Sequence, residues 1–186
     1  MKIISLFTNE KALISNAKKG DHTAQHTLYQ KYAPQMLAVC RRYVKDLQFA
    51  EDVSIQGFLK VFLQLHTYSG KGSFEGWVKR IMINESINFL KKKRSLVFDT
   101  NTEGYEKVTN SGITLKNDAE YLLKFIDRLP DNCRSIFILY AIDGYKHSEI
   151  AELLEIPEST SKSKLSKARK ILQENIKNYK QRYESL

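Results

Sequence analysis

Cysteine is nearly absent from this chain: Cys40 and Cys133 are the only two in 186 residues. Both sit among apolar neighbours, and neither has a partner at CxxC or metal-ligand spacing. That excludes a disulfide scaffold and predicts buried thiols in a reducing cytosol. Long apolar runs are missing too. None approaches the length that spans a bilayer, and residues 1–7 are too short for a signal peptide. The expected compartment is the cytoplasm, with no membrane insertion. Phosphate-cradling glycine loops, metal-spaced histidine sets and nucleophile elbows are also missing. His22 and His26 stand one helical turn apart, but no third ligand accompanies them, so an exposed helix pair is expected. The residues predict no enzyme, no cofactor and no metal.

Acidic residues are outnumbered. There are 30 Lys and Arg against 21 Asp and Glu, a net charge of +9. The excess is concentrated. Residues 158–186 carry eight basic and three acidic side chains, and residues 77–94 carry six and one. Two basic segments suit a polyanion bound at two places.

Proline is scarce, with three in the chain, and each falls where a helical pattern breaks: Pro34, Pro130 and Pro157. Between the breaks the apolar spacing is helical, and no strand-like alternation appears. Asn9 can cap a first helix ending at Gly20, and Asp21 the next. Residues 49–65 read as an amphipathic helix with Phe49, Val53, Phe58, Val61, Phe62 and Leu65 apolar. Residues 66–76 break the pattern with Gly70, Gly72 and Gly76 beside Tyr68 and Phe74, and Ser73 can cap the next helix. The glycines there permit backbone geometries that other residues resist.

The helix over 74–94 has two apolar stripes. Between them Trp77, Arg80, Asn84, Asn88 and Lys91 fall within one narrow arc. An aromatic, two amides and two cations on one face suit stacking, base edges and phosphates. Residues 95–117 have few bulky apolar side chains and read as a flexible linker. Beyond it, one helix carries Tyr121, Leu122, Phe125, Ile126 and Leu129. Another, capped by Asp131, packs Ile136, Phe137, Tyr140 and Ala141.

The last segment organises the rest. A short helix over 146–154 shows Ile150, Ala151 and Leu154 at helical spacing. Glu155-Ile156-Pro157 breaks it, and Pro157 suits the start of a second helix. Two helices across such a turn form a helix-turn-helix, whose second helix can enter the major groove. On that second helix Ser161, Leu165, Ala168 and Leu172 share one side, the expected core. Ser159, Ser163, Ser166, Lys167 and Lys170 fall opposite, with Lys162 and Arg169 at one edge. Hydroxyls reach phosphates or base edges, and cations neutralise phosphates.

These residues resemble a known family. Leu129-Pro130-Asp131-Asn132-Cys133-Arg134-Ser135-Ile136-Phe137 is similar to the Leu-Pro-x-x-x-Arg-x-x-Phe that opens the second domain of bacterial RNA polymerase sigma factors of the extracytoplasmic-function (ECF) type. Tyr145 through Ala151, and Thr160-Ser161-Lys162-Ser163 through Ala168-Arg169, resemble its helix-turn-helix. Ala50-Glu51-Asp52-Val53, Phe58-Leu59-Lys60-Val61-Phe62, Trp77 to Asn84 and Asn88 to Lys91 resemble its first domain. The match spans about residues 20–180. Some positions depart from the pattern. Ile55-Gln56 stands where Gln and an acid are usual, Lys146 replaces a serine cap, and Glu155 replaces the turn glycine. Ser159 also stands where glycine is common.

The resemblance implies an all-α fold of two small helical domains joined by a flexible linker: 1–95, a linker over 96–117, and 118–186 with the helix-turn-helix. It implies core RNA polymerase and promoter DNA as partners, with an anti-sigma factor as inhibitor and a monomer when free. Asp52, Gln56, Leu59 and Phe62 would bind the polymerase clamp. Tyr68, Phe74, Trp77, Arg80, Asn84, Asn88 and Lys91 would capture and melt the −10 element. Ser159, Thr160, Lys162, Ser163, Lys164, Ser166, Lys167, Arg169 and Lys170 would bind the −35 element, and the linker would thread the RNA-exit path. Lys164 and Lys167 stand where Gln or Arg occur, which reduces bidentate reading of guanine. Two other readings have sequence requirements of their own. A dimeric helix-turn-helix repressor or activator needs a symmetric oligomer and no polymerase. A recombinase or transposase needs strands and a catalytic Ser or Asp cluster in the first half, where none is found.

Overall fold

Asp21 starts the first long helix as its side chain predicts: its carboxylate accepts from Thr23 N (2.9 Å) and Ala24 N (3.1 Å). Such a cap satisfies amide groups that the first turn leaves without partners. The computed structural model describes residues 10–98 and 118–184. The chain divides into two compact units, 1–94 and 95–186. Among the described residues every regular element is helical.

The first unit holds α1 (Glu10–Lys18), α2 (His22–Tyr43), α3 (Leu47–Gln64), a 3₁₀ turn (Leu65–Thr67) and α4 (Phe74–Phe98). The expected cap Asn9 lies outside the described residues. Glu10 ties α1 to α2. Its carboxylate pairs with Lys31 and accepts from Tyr32 Oη at 2.8 Å. The Lys31 hydrogen bond, more than any other influence, holds Glu10 below the usual carboxylate range. Asp46 caps α3 by accepting from Phe49 N at 3.0 Å.

Pro34 does not break the pattern. α2 runs straight through it. A helix-interior proline removes one hydrogen bond and costs about 3 kcal/mol. Leu28 and Tyr32 before it, and Met36, Val39, Cys40 and Tyr43 after it, are all buried on one stripe and offset that cost. Phe49 also departs from expectation: it lies 5.4 Å from Phe89, yet remains largely exposed.

α3 meets α4 closely at Gly57. A Cβ there would collide with Met82 Sδ, so any larger residue would force the buried Met82 side chain to shift. Ser86, fully buried on α4, donates to Met82 O at 2.8 Å and so needs no outside partner. Cys40 is buried beside it, and burial pushes its thiol up to about 11.

Three residues of the expected linker, 96–98, continue α4; the rest, 99–117, lies outside the described residues. The second unit contains α5 (Asp118–Asp127), α6 (Asp131–Phe137), a π-helical turn (Ile138–Ile142), α7 (His147–Leu154) and α8 (Glu158–Glu184). Phe125, Leu129, Cys133, Ala168 and Leu172 form one buried cluster, flanked by Ile126, Phe137, Ile171, Ile176 and Tyr179. Both cysteines are buried and free.

Two local expectations fail here. Asp131 is the first residue of α6 rather than its cap; Pro130 O takes the cap position and accepts from Cys133 N and Arg134 N. Asp131 still favours that helix end through its charge. Tyr140 and Ala141 point outward, and Ile138 and Leu139 are buried instead. The cause is the wider turn, in which Asp143 N donates to Ile138 O at 2.9 Å. A π-turn shifts the phase of every side chain it holds.

Candidate nucleic-acid interface

The break between α7 and α8 is built by the backbone. Glu155 adopts φ +54°, ψ +48°, the left-handed region, and Ile156 N donates back to Ala151 O at 3.0 Å. This is the usual helix stop, made here without the usual glycine. At the other end of α7, Lys146 N donates to Glu149 Oε2 at 2.7 Å. Only this half of a capping box forms, because a lysine side chain has no acceptor to offer.

α8 sorts its faces as its sequence predicts. Ser161, Leu165, Ala168 and Leu172 are buried. Ser159, Lys162, Ser163, Ser166, Lys167, Arg169 and Lys170 are exposed, and Thr160 and Lys164 are half-buried. The exposed groups are partly engaged already. Lys162 pairs with Glu158 at 2.7 Å, and Ser163 Oγ donates to Thr160 O at 3.1 Å. The Lys162 hydrogen bond lowers the Glu158 pKa. Both contacts are local and surface-exposed, so a phosphate competes for Lys162 at little cost.

His147 carries no role in the sequence reading, yet it joins the two helices. Its Nδ1 stands 2.9 Å from Ser161 Oγ, and its ring stacks on Tyr140 with centroids 4.6 Å apart. Arg169 in turn lies over Tyr140, 5.6 Å from the ring centre. The hydroxyl at Ser161, on an otherwise apolar side of α8, is the one sequence signal for such a partner.

In the first unit an aromatic cluster joins the segment before α4 to that helix's first turn. Phe74 is only 3% exposed and packs against Tyr32, Tyr68 and Trp77. It anchors the loop from inside, and no base can stack on it as it stands. Tyr68 and Trp77 are half-buried, their rings 5.5 Å apart. Tyr68 Oη donates to Gly72 O (2.9 Å), and Lys18 Nζ donates to Tyr68 O (2.5 Å). Gly70 and Gly72 have φ of +77° and +85°, which this closure requires. Ser73 caps α4 by accepting from Gly76 N at 3.0 Å. The loop is therefore tied down.

Along α4, Arg80 and Asn88 are exposed, and Asn84 and Lys91 are half-buried. Glu85 lies beside this arc, paired with Lys60 of α3 at 2.6 Å.

α3 turns a second surface outward. Asp52 and Gln56 are exposed, Phe62 is half-buried and Leu59 is about half exposed. Leu63, at 75% exposure, and Ile55 belong to the same surface and are not among the residues expected there. Helical spacing from Asp52 through Gln56 and Leu59 leads directly to Leu63. Scattered exposed apolar residues are ordinary, but a row of them marks an interaction surface.

Among the described residues, no cluster of His, Cys, Asp or Glu could hold a metal, and no helix is long and apolar enough to cross a membrane. The described residues thus present cations and hydroxyls on the outer side of α8, an aromatic, amide and cation arc on α4, and a row of exposed apolar side chains on α3.

Residues 28–96 match sigma-70 region 2, and residues 119–172 match sigma-70 region 4. The ECF RNA polymerase sigma factor SigW of Bacillus subtilis is 27% identical, over 90% of this chain and 96% of its own. The ECF RNA polymerase sigma-E factor of Escherichia coli is 24% identical, over 90% and 94%. The solved sigma factor RpoE of Bartonella quintana, in complex with the anti-sigma factor NepR, is 22% identical. It covers 82% of this chain and 96% of its own, with a TM-score of 0.55. This chain belongs to the sigma-70 family and is a sigma factor of the ECF type.

Proposed function

We infer that this chain binds core RNA polymerase, directs it to specific promoters and helps open the DNA, each step falling to a different surface. The observation that carries the reading is the pairing, on one chain, of region 2 and region 4 on two separate helical units. A repressor acting without polymerase has no use for the first.

Asp52, Gln56, Leu59 and Phe62, extended by Leu63, bind the polymerase clamp. Trp77, Arg80, Asn84, Asn88 and Lys91 capture the opened −10 strand, with Tyr68 at the rim and Phe74 as the internal anchor. The outward face of α8 reads the −35 duplex. The sigma factor performs no bond chemistry; the polymerase does. Base–aromatic stacking contributes roughly 1–3 kcal/mol per base, so a few such contacts offset the lost pairing of a short segment.

We further propose a cytoplasmic protein that is monomeric when free and held by an anti-sigma factor until released. The exposed apolar row on α3 supports an inhibitor that covers the polymerase surface. The Bartonella protein is solved in complex with an anti-sigma factor.

The test is strand opening. Asn84→Ala should bind polymerase and the −35 duplex normally but fail to open a closed promoter. A template already mismatched at −10 should restore its transcription. If mismatching rescues nothing while both bindings stay normal, α4 acts at another step.

A further inference from the structure

The sigma-factor reading assigns Arg169 to the −35 duplex but leaves its neighbour Tyr140 without a role. Tyr140 is a large aromatic at 36% exposure, turned outward by the π-helical turn. One-turn π-bulges concentrate at functional sites because they re-aim side chains. This one leaves Tyr140 at the surface, in contact with both α7 and α8. The Arg169 guanidinium carbon stands 5.6 Å from the Tyr140 ring centre, within cation–π range. Behind it, the His147 ring lies 4.6 Å away at 25° to it, and His147 is fixed by Ser161 at 2.9 Å.

The contacts close a circuit. It starts at buried Ser161 on α8, passes through His147 at the start of α7 and Tyr140 on the π-turn, and returns to α8 at Arg169. The exposed side chains of Lys162, Ser163, Ser166 and Lys167 lie between its two ends. Three elements therefore hold one guanidinium at the edge of the outward face. Lys162, by contrast, is paired with Glu158, one turn back on its own helix.

We propose that Tyr140 is a positioning residue for promoter recognition: resting on its ring, the Arg169 guanidinium is held oriented for the −35 duplex. This rests on the sigma-factor reading. An arginine held before binding loses less side-chain freedom when it meets a phosphate or base edge. The circuit also makes the second unit's grip depend on a residue outside the helix-turn-helix itself.

The experiment is a double-mutant cycle on the holoenzyme, formed from core polymerase and the full chain. It reads affinity for a labelled duplex promoter from which the wild type initiates. Tyr140→Leu should weaken binding about 2- to 5-fold, the loss of an exposed cation–π contact. Tyr140→Phe keeps the ring and should bind as wild type. In an Arg169→Ala background Tyr140→Leu should cost nothing more, whereas in a Lys167→Ala background it should cost its full amount. A Tyr140 that merely supports the fold would weaken both backgrounds equally, and that result overturns the proposal. So does a Tyr140→Leu variant that binds as wild type. A wild-type holoenzyme that binds no promoter overturns the sigma-factor reading itself, and this inference with it.

Discussion

His147 and Ser161 meet across the helix-turn-helix, Nδ1 to Oγ at 2.9 Å, and tie the start of one helix to the buried side of the other. Ser161 has no exposure to water, so its hydroxyl depends on that partner. Ser161→Ala removes that hydroxyl and leaves only the half-buried His147 ring without its partner, so it should destabilise the second unit by about 0.5–1.5 kcal/mol, the net contribution of one hydrogen bond. The pair His147→Phe with Ser161→Val should cost less than the two single changes added together. Urea titration of the four proteins checks this. Additive losses would mean the contact contributes nothing specific.

Glu155 and Lys146 occupy positions where the backbone favours other residues. Glu155 sits in the left-handed region, which costs a non-glycine residue roughly 1 kcal/mol. Glu155→Gly should stabilise the second unit by several tenths of a kcal/mol or more, after glycine's greater freedom in the unfolded chain is subtracted. Lys146→Ser should complete the capping box and add about 1 kcal/mol. Thermal melts of both variants should move upward. A downward shift for either would contradict the assigned geometry.

Burial raises the Cys40 thiol to about 11, and this gives stability a definite pH dependence. The native state keeps the proton, whereas the unfolded chain loses it near its ordinary value. The contribution is complete below that ordinary value, about 8.5, and is lost as pH rises toward 11. Cys40→Ala should therefore show a flatter decline in stability between those limits than wild type. Native Cys40 should also resist alkylation at pH 8, when a denatured sample reacts. Equal labelling of the two would contradict its burial.

Leu63 is the most exposed of the apolar side chains on α3. Leu63→Lys should leave the fold intact and weaken capture of core polymerase, by about tenfold or more if this is an interface anchor. Asp52→Lys with Gln56→Lys should do the same. A pull-down titration measures both. Unchanged affinity for Leu63→Lys would confine the interface to the earlier turns.

Much of this fold is legible in the sequence because helical periodicity and capping act locally. Asp21 and Ser73 cap where their side chains predict. The buried side of α8 is readable from a spacing of 3.6 residues. What escapes the sequence depends on tertiary context. Pro34 has the look of a break, but packing on both sides carries the helix through it. Tyr140 and Ala141 fall inside on α-helical phasing, whereas the chain makes a π-turn there. Phe74 groups by position with the strand-capturing residues, yet three aromatics enclose it. Leu63 continues the helical spacing of Asp52, Gln56 and Leu59, but its exposure is legible only in three dimensions, because it is set by what the other helices leave uncovered.

On the proposed function, this chain gives core polymerase its promoter specificity. Core RNA polymerase, with and without the purified chain, should be offered a promoter library and its transcripts sequenced. Transcripts should appear only when the chain is present, starting downstream of a shared −35 and −10 pair. Arg169→Ala should weaken use of the first element, and Asn84→Ala should block opening at the second. Transcripts unchanged by the chain, or a chain that binds duplex DNA as a dimer without engaging polymerase, would contradict it.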